Sequence, residues 1–299
     1  MAQDKWSDWL LGERHGGNAA YQKVVRAMAG RIRDRVLDGA RLAPGMTIAD
    51  VGAGDGLIAF GAIERVGPSL RAILTDISAP LLEHAEALAR ELGVHPQCAF
   101  IEGSAESLSG IDDGVVDVVM TRAVLAYVAN KPAALREFHR VLKPGGRISI
   151  AEPIFRDQAI EALAMTRSLA APSTEPGIDF VRLIQRWKAA QFPSTEQAIA
   201  ESPLTNFSER DLVRMAREAG FVDIHLELHI DERASSITSW EIFVDVAPHP
   251  LAPTLRKILK TQFSMEEREV FEKIFRPLVE SRQTTEIDTV AYLTAIKRE

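Results

Sequence analysis

One segment, residues 47–56 with the sequence TIADVGAGDG, constrains the fold of this 299-residue chain more than any other. Strand-forming residues run directly into Gly52, Gly54 and Gly56, and a helical pattern follows over residues 57–66. That order predicts a strand, a tight turn and a helix N-terminus, where an open parallel sheet presents backbone N–H groups to a ligand. Glycine suits such a turn because a ligand resting on backbone leaves no room for Cβ atoms.

The rest of the chain alternates short apolar runs with helical patterns. Four further buried-type strands are predicted, at residues 71–75, 98–101, 115–120 and 147–151. Short apolar strands separated by helices are typical of a parallel sheet covered on both faces. Two more strands, at residues 221–230 and 289–296, enclose a long excursion, which predicts an antiparallel pair at the sheet edge with a helical insert between them. The predicted fold class is therefore α/β, with a mostly parallel sheet of seven strands and helices on both faces.

Changes in this alternation of strand and helix patterns divide the chain into four parts. Residues 1–40 carry two amphipathic helical patterns and are predicted to form a helical lid. Residues 41–153 hold the alternating core, and residues 154–206 form a helical insert. Residues 207–299 return to the core and contain a second insert at 235–282. The lid and the first insert are predicted to cover a substrate.

Charge and composition limit the kinds of partner that the protein can bind. The formal net charge of −7 argues against binding to nucleic acid, because a phosphate backbone needs a basic face. The sequence lacks both an apolar run of about 18 residues and the apolar core of a signal peptide. A single cysteine, Cys98, excludes an internal disulfide, and the metal-binding motif HExxH is absent. We therefore expect a cytoplasmic protein with a small-molecule partner, and neither a membrane, a nucleic acid nor a metal.

The ligand of the glycine turn depends on spacing and charge. The dinucleotide fingerprint G-x-G-x-x-G needs its third glycine where this chain has Leu57. Asp55 adds a carboxylate to the turn, which suits a cation better than a pyrophosphate. Asp76 ends the second strand about 20 residues later, where a carboxylate can accept hydrogen bonds from both ribose hydroxyls of an adenosine. Asp76 suits NAD or S-adenosylmethionine equally, whereas Asp55 and Leu57 favour S-adenosylmethionine, whose sulfonium and ammonium groups are cationic.

Five segments in order strengthen this reading. They are DVGAGDG at 50–56, TDIS at 75–78, EGSAE at 102–106, DVVMTR at 117–122 and LKPGG at 142–146. Together they resemble the class I S-adenosylmethionine-dependent methyltransferases, and among these the small-molecule enzymes similar to the ubiquinone/menaquinone C-methyltransferases. The resemblance covers residues 45–153 and implies a Rossmann-like sheet with S-adenosylmethionine as cofactor and S-adenosylhomocysteine as product.

The resemblance also implies a role for each matching residue. The residues that would contact the cofactor are Asp50, Gly52, Ala53, Gly54, Gly56, Asp76, Ile77, Ser104, Ala105, Glu106, Thr121 and Arg122. Asp76 would hold the ribose and Ile77 would pack on the adenine. Ser104 departs from the family, whose members often have Asp there. Asp50 is read equally well as a carboxylate that stabilises the turn.

Methyl transfer from a sulfonium depends mainly on alignment and on exclusion of water, because the cofactor supplies the leaving group. A base helps where the acceptor must lose a proton. The candidates are His15 in the lid, Tyr127 after the fourth strand and Glu152 at the end of the fifth. Position favours Tyr127 and Glu152, since ligands of open sheets bind outside the carboxyl ends of the strands.

Aromatic and apolar side chains predict the acceptor's pocket. They are Trp6, Trp9, Tyr21, Leu125, Phe155, Trp187 and Phe192. Such a pocket would suit an apolar or aromatic acceptor from secondary metabolism or quinone-type biosynthesis, but the same residues could equally be ordinary core. The methylated atom (oxygen, nitrogen or carbon) stays open, and the inserts could form a homodimer contact. Two other functions also stay open: an S-adenosylmethionine-binding protein without turnover, and an NAD(P)-dependent oxidoreductase.

Overall fold

Seven strands form one mixed sheet in the computed structural model, which describes residues 4–172 and 177–299. Residues 1–3 of the predicted lid and 173–176 of the predicted first insert lie outside the described residues. The strands are β1 Thr47–Val51, β2 Arg71–Asp76, β3 Cys98–Glu102, β4 Val116–Arg122, β5 Leu142–Pro153, β6 Phe221–Ala234 and β7 Thr285–Lys297.

The strand order is β3-β2-β1-β4-β5-β7-β6. Strands β1 to β5 run parallel, whereas β7 pairs antiparallel with both β5 and β6. The predicted α/β class, the mostly parallel seven-stranded sheet and the antiparallel pair at its edge are confirmed. The chain order reverses between β1 and β4, and ligands of open α/β sheets bind at such a point, outside the carboxyl ends of the strands.

Helices cover both faces of the sheet. In the described residues they are α1 Lys5–Leu11, α2 Ala19–Ala40, α3 Leu57–Val66, α4 Ala79–Glu91, α5 Lys131–Val141, α6 Arg156–Ser168, α7 Ile178–Gln191, α8 Glu196–Glu201, α9 Glu209–Glu218, α10 Trp240–Asp245, α11 Leu255–Gln262 and α12 Met265–Glu280. None of these helices is long and apolar enough to cross a membrane.

Successive residues of a strand point to opposite faces, and β1 shows how this builds two cores. Ala49 and Val51 pack in a cluster that includes α5 and α9. Ile48 packs on the other face with α2, α3 and α4. A third cluster, centred on Phe271, joins α7 of the first insert to α10, α11 and α12 of the second. The inserts thus bury apolar surface against each other as well as against the sheet.

Most strand bounds differ from the predicted ones by one or two residues, and the differences are larger in two places. The Lys-Pro-Gly-Gly segment at 143–146 is predicted to be a turn before a strand, but Leu142 already pairs with Val116. The register then shifts, Gly145 takes a φ of 75°, and Arg147 pairs with Val118, so the segment is an irregularity within β5. At the other edge, β6 and β7 stay paired as far as Ala234 and Thr285, beyond both predicted strand ends.

Candidate active site

A cavity of about 340 Å³ opens at the carboxyl ends of β1, β2 and β4 and is covered by α1. Residues predicted to contact the cofactor that line it are Asp50, Gly52, Ala53, Gly54, Asp76, Ile77, Ser104, Ala105, Glu106 and Arg122. Gly56 and Thr121, from the same predicted set, do not line it. The sheet therefore brings the turn after β1, the ends of β2 and β4 and the loop after β3 to one place.

The turn after β1 keeps one wall of the cavity free of side chains. Gly52 and Gly54 have φ values of 66° and 55°, in the left-handed region that side chains disfavour. A Cβ at Gly52 would lie 2.3 Å from a methyl group of Val124. Gly56 has a φ of 78° and caps the N-terminus of α3, so its role is to start the helix.

Asp76 holds the glycine turn and also lines the cavity. Its Oδ2 accepts the Gly54 N–H at 2.8 Å, and its Oδ1 accepts the Ser78 N–H at 2.9 Å. Burial raises the pKa of Asp76, while these backbone donors act in the opposite direction. A carboxylate has about four lone-pair sites, so Asp76 can still accept hydroxyl groups from a ligand.

Asp50 joins the turn to the helix behind it. The side chain is buried, and its Oδ2 accepts the Ala59 N–H at 2.9 Å, which fixes α3 to β1. Burial raises the pKa of Asp50 to about 7, and the charges of Asp76 and Asp55 act in the same direction. Because Asp50 also lines the cavity, its position is compatible with both predicted roles, the turn-stabilising one and the cofactor-facing one.

Glu152, a candidate base, is placed as a structural anchor. It is fully buried at the end of β5 and does not line the cavity. Its two carboxylate oxygens accept the Thr121 hydroxyl and the N–H groups of Val124 and Ala126, each at 3.1 Å. Burial raises the pKa of Glu152, and these donors oppose the shift. The geometry makes Glu152 and Thr121 supports for the loop after β4, and gives Glu152 no access to an acceptor.

The other two candidate bases differ in their access to the cavity. Tyr127 lines it and packs edge-to-face on Trp6, with ring centroids 5.4 Å apart. Burial raises the pKa of Tyr127, and the nearby Glu152 carboxylate adds to the effect, so the phenol keeps its proton at neutral pH. His15 is only 6% exposed and does not line the cavity. Neither of its ring nitrogens has a hydrogen-bond partner among the described residues.

Of the residues predicted to form the acceptor's pocket, Trp6 and Trp9 of α1 line the cavity. The residues of that set that lie elsewhere are Tyr21, Leu125, Phe155, Trp187 and Phe192. Phe155 and Phe192 both pack against His249, with ring centroids 5.5 and 5.2 Å from it. Their burial among other insert residues corresponds to the alternative that such aromatics are ordinary core.

The remaining three are also held by packing. Leu125 is fully buried in the core that contains α5 and α9. Trp187 and Tyr21 belong to the third cluster, where Trp187 packs edge-to-face on Phe275 at 5.3 Å. These side chains pack in hydrophobic clusters and do not line the cavity, so their size and aromaticity do not report on the acceptor.

Several cavity-lining residues lie outside the sets predicted to contact the cofactor, to act as a base or to form the acceptor's pocket. They are Leu10, Asp55, Leu57, Ile58, Leu81, Gly103, Ala123, Val124, Val128, Ala129 and Pro250. Leu10 shares a helical face with Trp6, so the periodicity of α1 contained that signal. Pro250 lies in a loop of the second insert, and no local pattern connects it with a sheet more than a hundred residues earlier in the chain.

Two hydrogen bonds join the lid to that loop. The indole Nε1 of Trp9 donates to the carbonyl of Ala247 at 3.0 Å, and the Ala247 N–H donates to the carbonyl of Glu13 at 3.1 Å. The loop is held from its other side by Gln191, whose amide donates to the Pro253 carbonyl at 3.1 Å. The N-terminal residues and the second insert therefore cover the cavity as one connected structure.

The neutral imidazole of His249 holds the same loop in place. Its Nδ1 accepts the Leu251 N–H at 3.2 Å, which leaves Nε2 to donate to the Gln191 carbonyl at 2.9 Å. A second proton would have to sit on Nδ1, facing a donor. Burial lowers the pKa of His249 to about 4, whereas an ordinary histidine titrates near 6.5.

Acid is therefore expected to loosen the cover of the site through His249. The unfolded chain binds the proton more tightly, so the contribution of His249 is complete above pH 6.5 and is lost as the pH falls toward 4. The loss amounts to about 3 kcal/mol of unfolding free energy. In urea unfolding at pH 7, 6 and 5, His249→Phe should show a smaller pH dependence than wild type. The exposed His84→Phe should behave as wild type, and an unchanged slope in His249→Phe would contradict the assignment.

The donor set of the cavity suits S-adenosylmethionine. A groove without Cβ atoms at Gly52 and Gly54 accepts a ligand close to the backbone, and Asp76 presents a carboxylate to a ribose. Asp50, Asp55 and Glu106 add negative charge around a ligand that carries two cationic groups. A glycine turn with an acidic residue at the end of the next strand, at the reversal point of this strand order, is the arrangement expected of S-adenosylmethionine-dependent methyltransferases.

Sequence comparison agrees with that class. A family profile described as a methyltransferase domain matches residues 42–220, more than half of the chain. The chain therefore belongs to this family of methyltransferase domains.

Two relatives illustrate the range within the family. The ubiquinone/menaquinone biosynthesis C-methyltransferase UbiE of Shewanella oneidensis is 30% identical over 155 residues, which are 50% of this chain and 61% of the relative. The chain thus aligns with only about three fifths of that protein's length. The nocamycin O-methyltransferase of Saccharothrix syringae is 30% identical over 202 residues, which are 66% of each chain.

Solved structures share the fold at lower sequence identity. The YcgJ protein of Bacillus subtilis superimposes with a TM-score of 0.55 and 20% identity, over 90% of this chain and 99% of that one. The cyclase SpnF superimposes with a TM-score of 0.53 and 20% identity, over 97% of this chain and 86% of that one. At this identity the likeness concerns the fold.

Proposed function

We propose that this protein transfers a methyl group from S-adenosylmethionine to a small organic acceptor. The observation that carries the proposal is the position of Asp76, which binds the glycine turn through Gly54 and at the same time lines the cavity. The cavity, of about 340 Å³, lies within the usual size range of small-molecule sites. The named relatives, a C-methyltransferase and an O-methyltransferase of small molecules, support the substrate class.

Each part of the cavity has a task in holding the cofactor. Asp76 would accept the ribose hydroxyls, and Ser104 and Glu106 would lie at the adenine edge. The wall at Gly52 and Gly54 would receive the methionine portion. When bound, S-adenosylmethionine supplies an electrophilic methyl group on a sulfonium.

The protein's own contribution is to orient and to exclude water. Helix α1 places Trp6, Trp9 and Leu10 over the cavity, and the loop containing Pro250 closes beside it. Alignment of two reactants and removal of water can together supply a large part of a rate enhancement. Tyr127, which keeps its proton, is a hydrogen-bond donor for an acceptor oxygen and is not a base in this state.

Ligand-induced stabilisation tests the proposal. S-Adenosylhomocysteine at a hundredfold excess over its Kd should raise the melting temperature by roughly 5 °C. NAD at the same concentration should leave it unchanged, because Leu57 replaces the glycine of the dinucleotide turn. Stabilisation by NAD alone would favour an oxidoreductase.

Turnover then separates an enzyme from a protein that only binds the cofactor. Incubation with S-adenosylmethionine and a panel of phenols, carboxylic acids, enolic lactones and quinols should release S-adenosylhomocysteine with at least one class, measured by mass spectrometry. Tight binding of S-adenosylhomocysteine without release across that panel would instead favour the binding protein without turnover.

A further inference from the structure

One edge of the sheet is a long strand whose outer side has no partner in the described part of the chain. Strand β6 has 14 residues, whereas the strand at the opposite edge, β3, has five. In residues 4–172 and 177–299, β6 pairs only with β7, and its outward N–H and C=O groups make no backbone hydrogen bond. Proteins commonly protect such an edge with proline, lysine or a bulge. Here one bulge interrupts the pairing before His225, and the regular segment from His225 to Ala234 contains neither proline nor lysine.

Two apolar side chains of β6 are exposed on the face of the sheet that α9 covers. Ile224 and Leu226 pack against the cluster that contains α9. Leu228 and Ile230 follow on the same face, because alternate residues of a strand share a face. They are 39% and 61% exposed, and they belong to none of the three clusters formed by the described residues. Exposed apolar residues along an unpaired strand edge mark a place where another strand can add.

The other face of β6 carries ionisable side chains whose charge alternates in sign. His225, Glu227, His229, Asp231 and Arg233 occupy every second position, so carboxylates alternate with basic groups. The Glu227 carboxylate lies 3.3 and 3.1 Å from the rings of the two histidines, which shows that these groups share one face. Opposite charges that face each other across two strands stabilise a sheet, and like charges destabilise it. A strand with this alternation can therefore pair with a reversed copy of itself.

On the apolar face, one antiparallel register between two copies of β6 covers the exposed residues. With a two-fold axis at Leu228, this residue faces its own counterpart, and Leu226 faces Ile230 of the second copy. Ile230 then lies beside a covered position, because Leu226 packs in the cluster that contains α9. Moving the axis to Ile230 would set Leu228 opposite Glu232. Moving it to Leu226 would bring the bulge at Asp223 close to the axis.

The same register joins opposite charges on the other face. With the axis at the residue between them, Glu227 faces His229 of the second copy, and His225 faces Asp231 of the second copy. Moving the axis by one residue, to His229, would set Glu227 opposite Asp231. Moving it to Glu227 would set this carboxylate opposite itself. Because like charges directly opposite each other are unfavourable, the charged face selects the register that also covers the apolar residues.

We propose that the protein forms a dimer in which the β6 strands of two copies pair antiparallel about a two-fold axis at Leu228. Backbone hydrogen bonds along the edge and burial of the apolar side chains provide the attraction, and the alternating charges fix the register. The contact is isologous, so it closes at two copies. The cavity lies at β1, β2 and β4, so each copy keeps its own site, and the dimer does not depend on the proposed methyl transfer.

The mass of the protein in solution tests this dimer. In light scattering after size exclusion, wild type at roughly 200 µM should approach twice the chain mass of 32.9 kDa. Leu228→Lys removes an apolar contact and sets two ammonium groups opposite each other at the axis, so it should weaken the dimer by about tenfold or more. The matched control is Ile287→Lys, at an exposed residue of the same face but in the inner strand β7. It should keep the dimer of wild type.

A pair of charge variants tests the register. His225→Glu sets a carboxylate opposite Asp231 of the second copy, and Asp231→Lys sets an ammonium group opposite His225. Each variant alone should therefore dimerise more weakly than wild type. An equimolar mixture of the two variants should recover the dimer, because each contact between unlike copies then joins opposite charges or the natural pair.

Circular dichroism checks that each variant is folded, and the charge variants decide the question if Leu228→Lys is not. A wild type that stays at the mass of one chain, or that forms a species larger than two chains, would overturn the proposal. So would a dimer that withstands Leu228→Lys, an equal loss of dimer in Ile287→Lys, or a mixture that recovers no dimer.

Discussion

Asp76→Ala is expected to weaken S-adenosylhomocysteine binding by about a hundredfold or more. In the proposed complex the carboxylate accepts two ribose hydroxyls, and two charge-assisted hydrogen bonds together contribute about 3 kcal/mol. The same substitution removes the acceptor of the Gly54 and Ser78 N–H groups, so the glycine turn also loses its fixed shape. Calorimetric titration measures the change directly, and the variant should also lose the ligand-induced rise in melting temperature.

A matched variant separates this effect from general destabilisation. Asp117 lies near the amino end of β4, where it accepts the Thr47 N–H at 2.8 Å and the Lys143 ammonium at 2.8 Å. Asp117→Asn should lower the melting temperature but leave the Kd of S-adenosylhomocysteine within about twofold of wild type. If Asp76→Ala kept wild-type affinity in a folded protein, the cofactor assignment would fail.

The strand, turn and helix around residues 47–66 could be predicted because everything that defines them is local. Glycine spacing, the acidic end of β2 and the alternation of apolar runs all fall within short windows of sequence. Short crossovers favour side-by-side placement of consecutive strands, as seen for β1 with β2, β2 with β3 and β4 with β5, but the reversal between β1 and β4 is not contained in these windows. The irregularity at 143–146 could not be predicted, because proline and glycine indicate a break without saying whether the partner strand bridges it.

The cover of the site shows where such reasoning ends. Trp187 and Trp9 are both tryptophans within helical sequence patterns, but Trp187 packs in the third cluster and Trp9 lines the cavity. Pro250 lines the cavity from a loop in which Ala247 is bound to the lid and His249 to the first insert. Contacts between segments that are this far apart in the chain depend on the packing of two inserts, and neither insert carries a recognisable motif.

Glu152 illustrates a different limit. A carboxylate at the end of a parallel strand has the correct position for a base. The sequence, however, cannot distinguish a free carboxylate from one whose lone pairs already accept hydrogen bonds from the protein. The structure supplies that distinction through three donors, the Thr121 hydroxyl and the N–H groups of Val124 and Ala126. The structure therefore predicts that substitution of Glu152 lowers the stability of the protein, whereas substitution of a base would affect only turnover.

Glu152→Ala is expected to lower the free energy of unfolding by about 3 kcal/mol or more, because it leaves these three buried donors without an acceptor. Glu152→Gln should destabilise the protein less, by about 1 kcal/mol, since an amide oxygen at the Oε2 position still accepts both N–H groups and the amide nitrogen can donate to the Thr121 hydroxyl, but the charge-assisted bonds are lost. The exposed Glu102→Gln at the end of β3 should change stability by less than about 0.5 kcal/mol. Urea unfolding at pH 7 measures all three.

A catalytic base predicts the opposite for Glu152→Gln, namely wild-type stability with loss of turnover. A Glu152→Gln protein with wild-type stability and cofactor binding but without turnover would therefore restore the base assignment, whereas a destabilised one that binds S-adenosylhomocysteine more weakly would show that Glu152 acts by holding the loop that carries Val124 against the glycine turn.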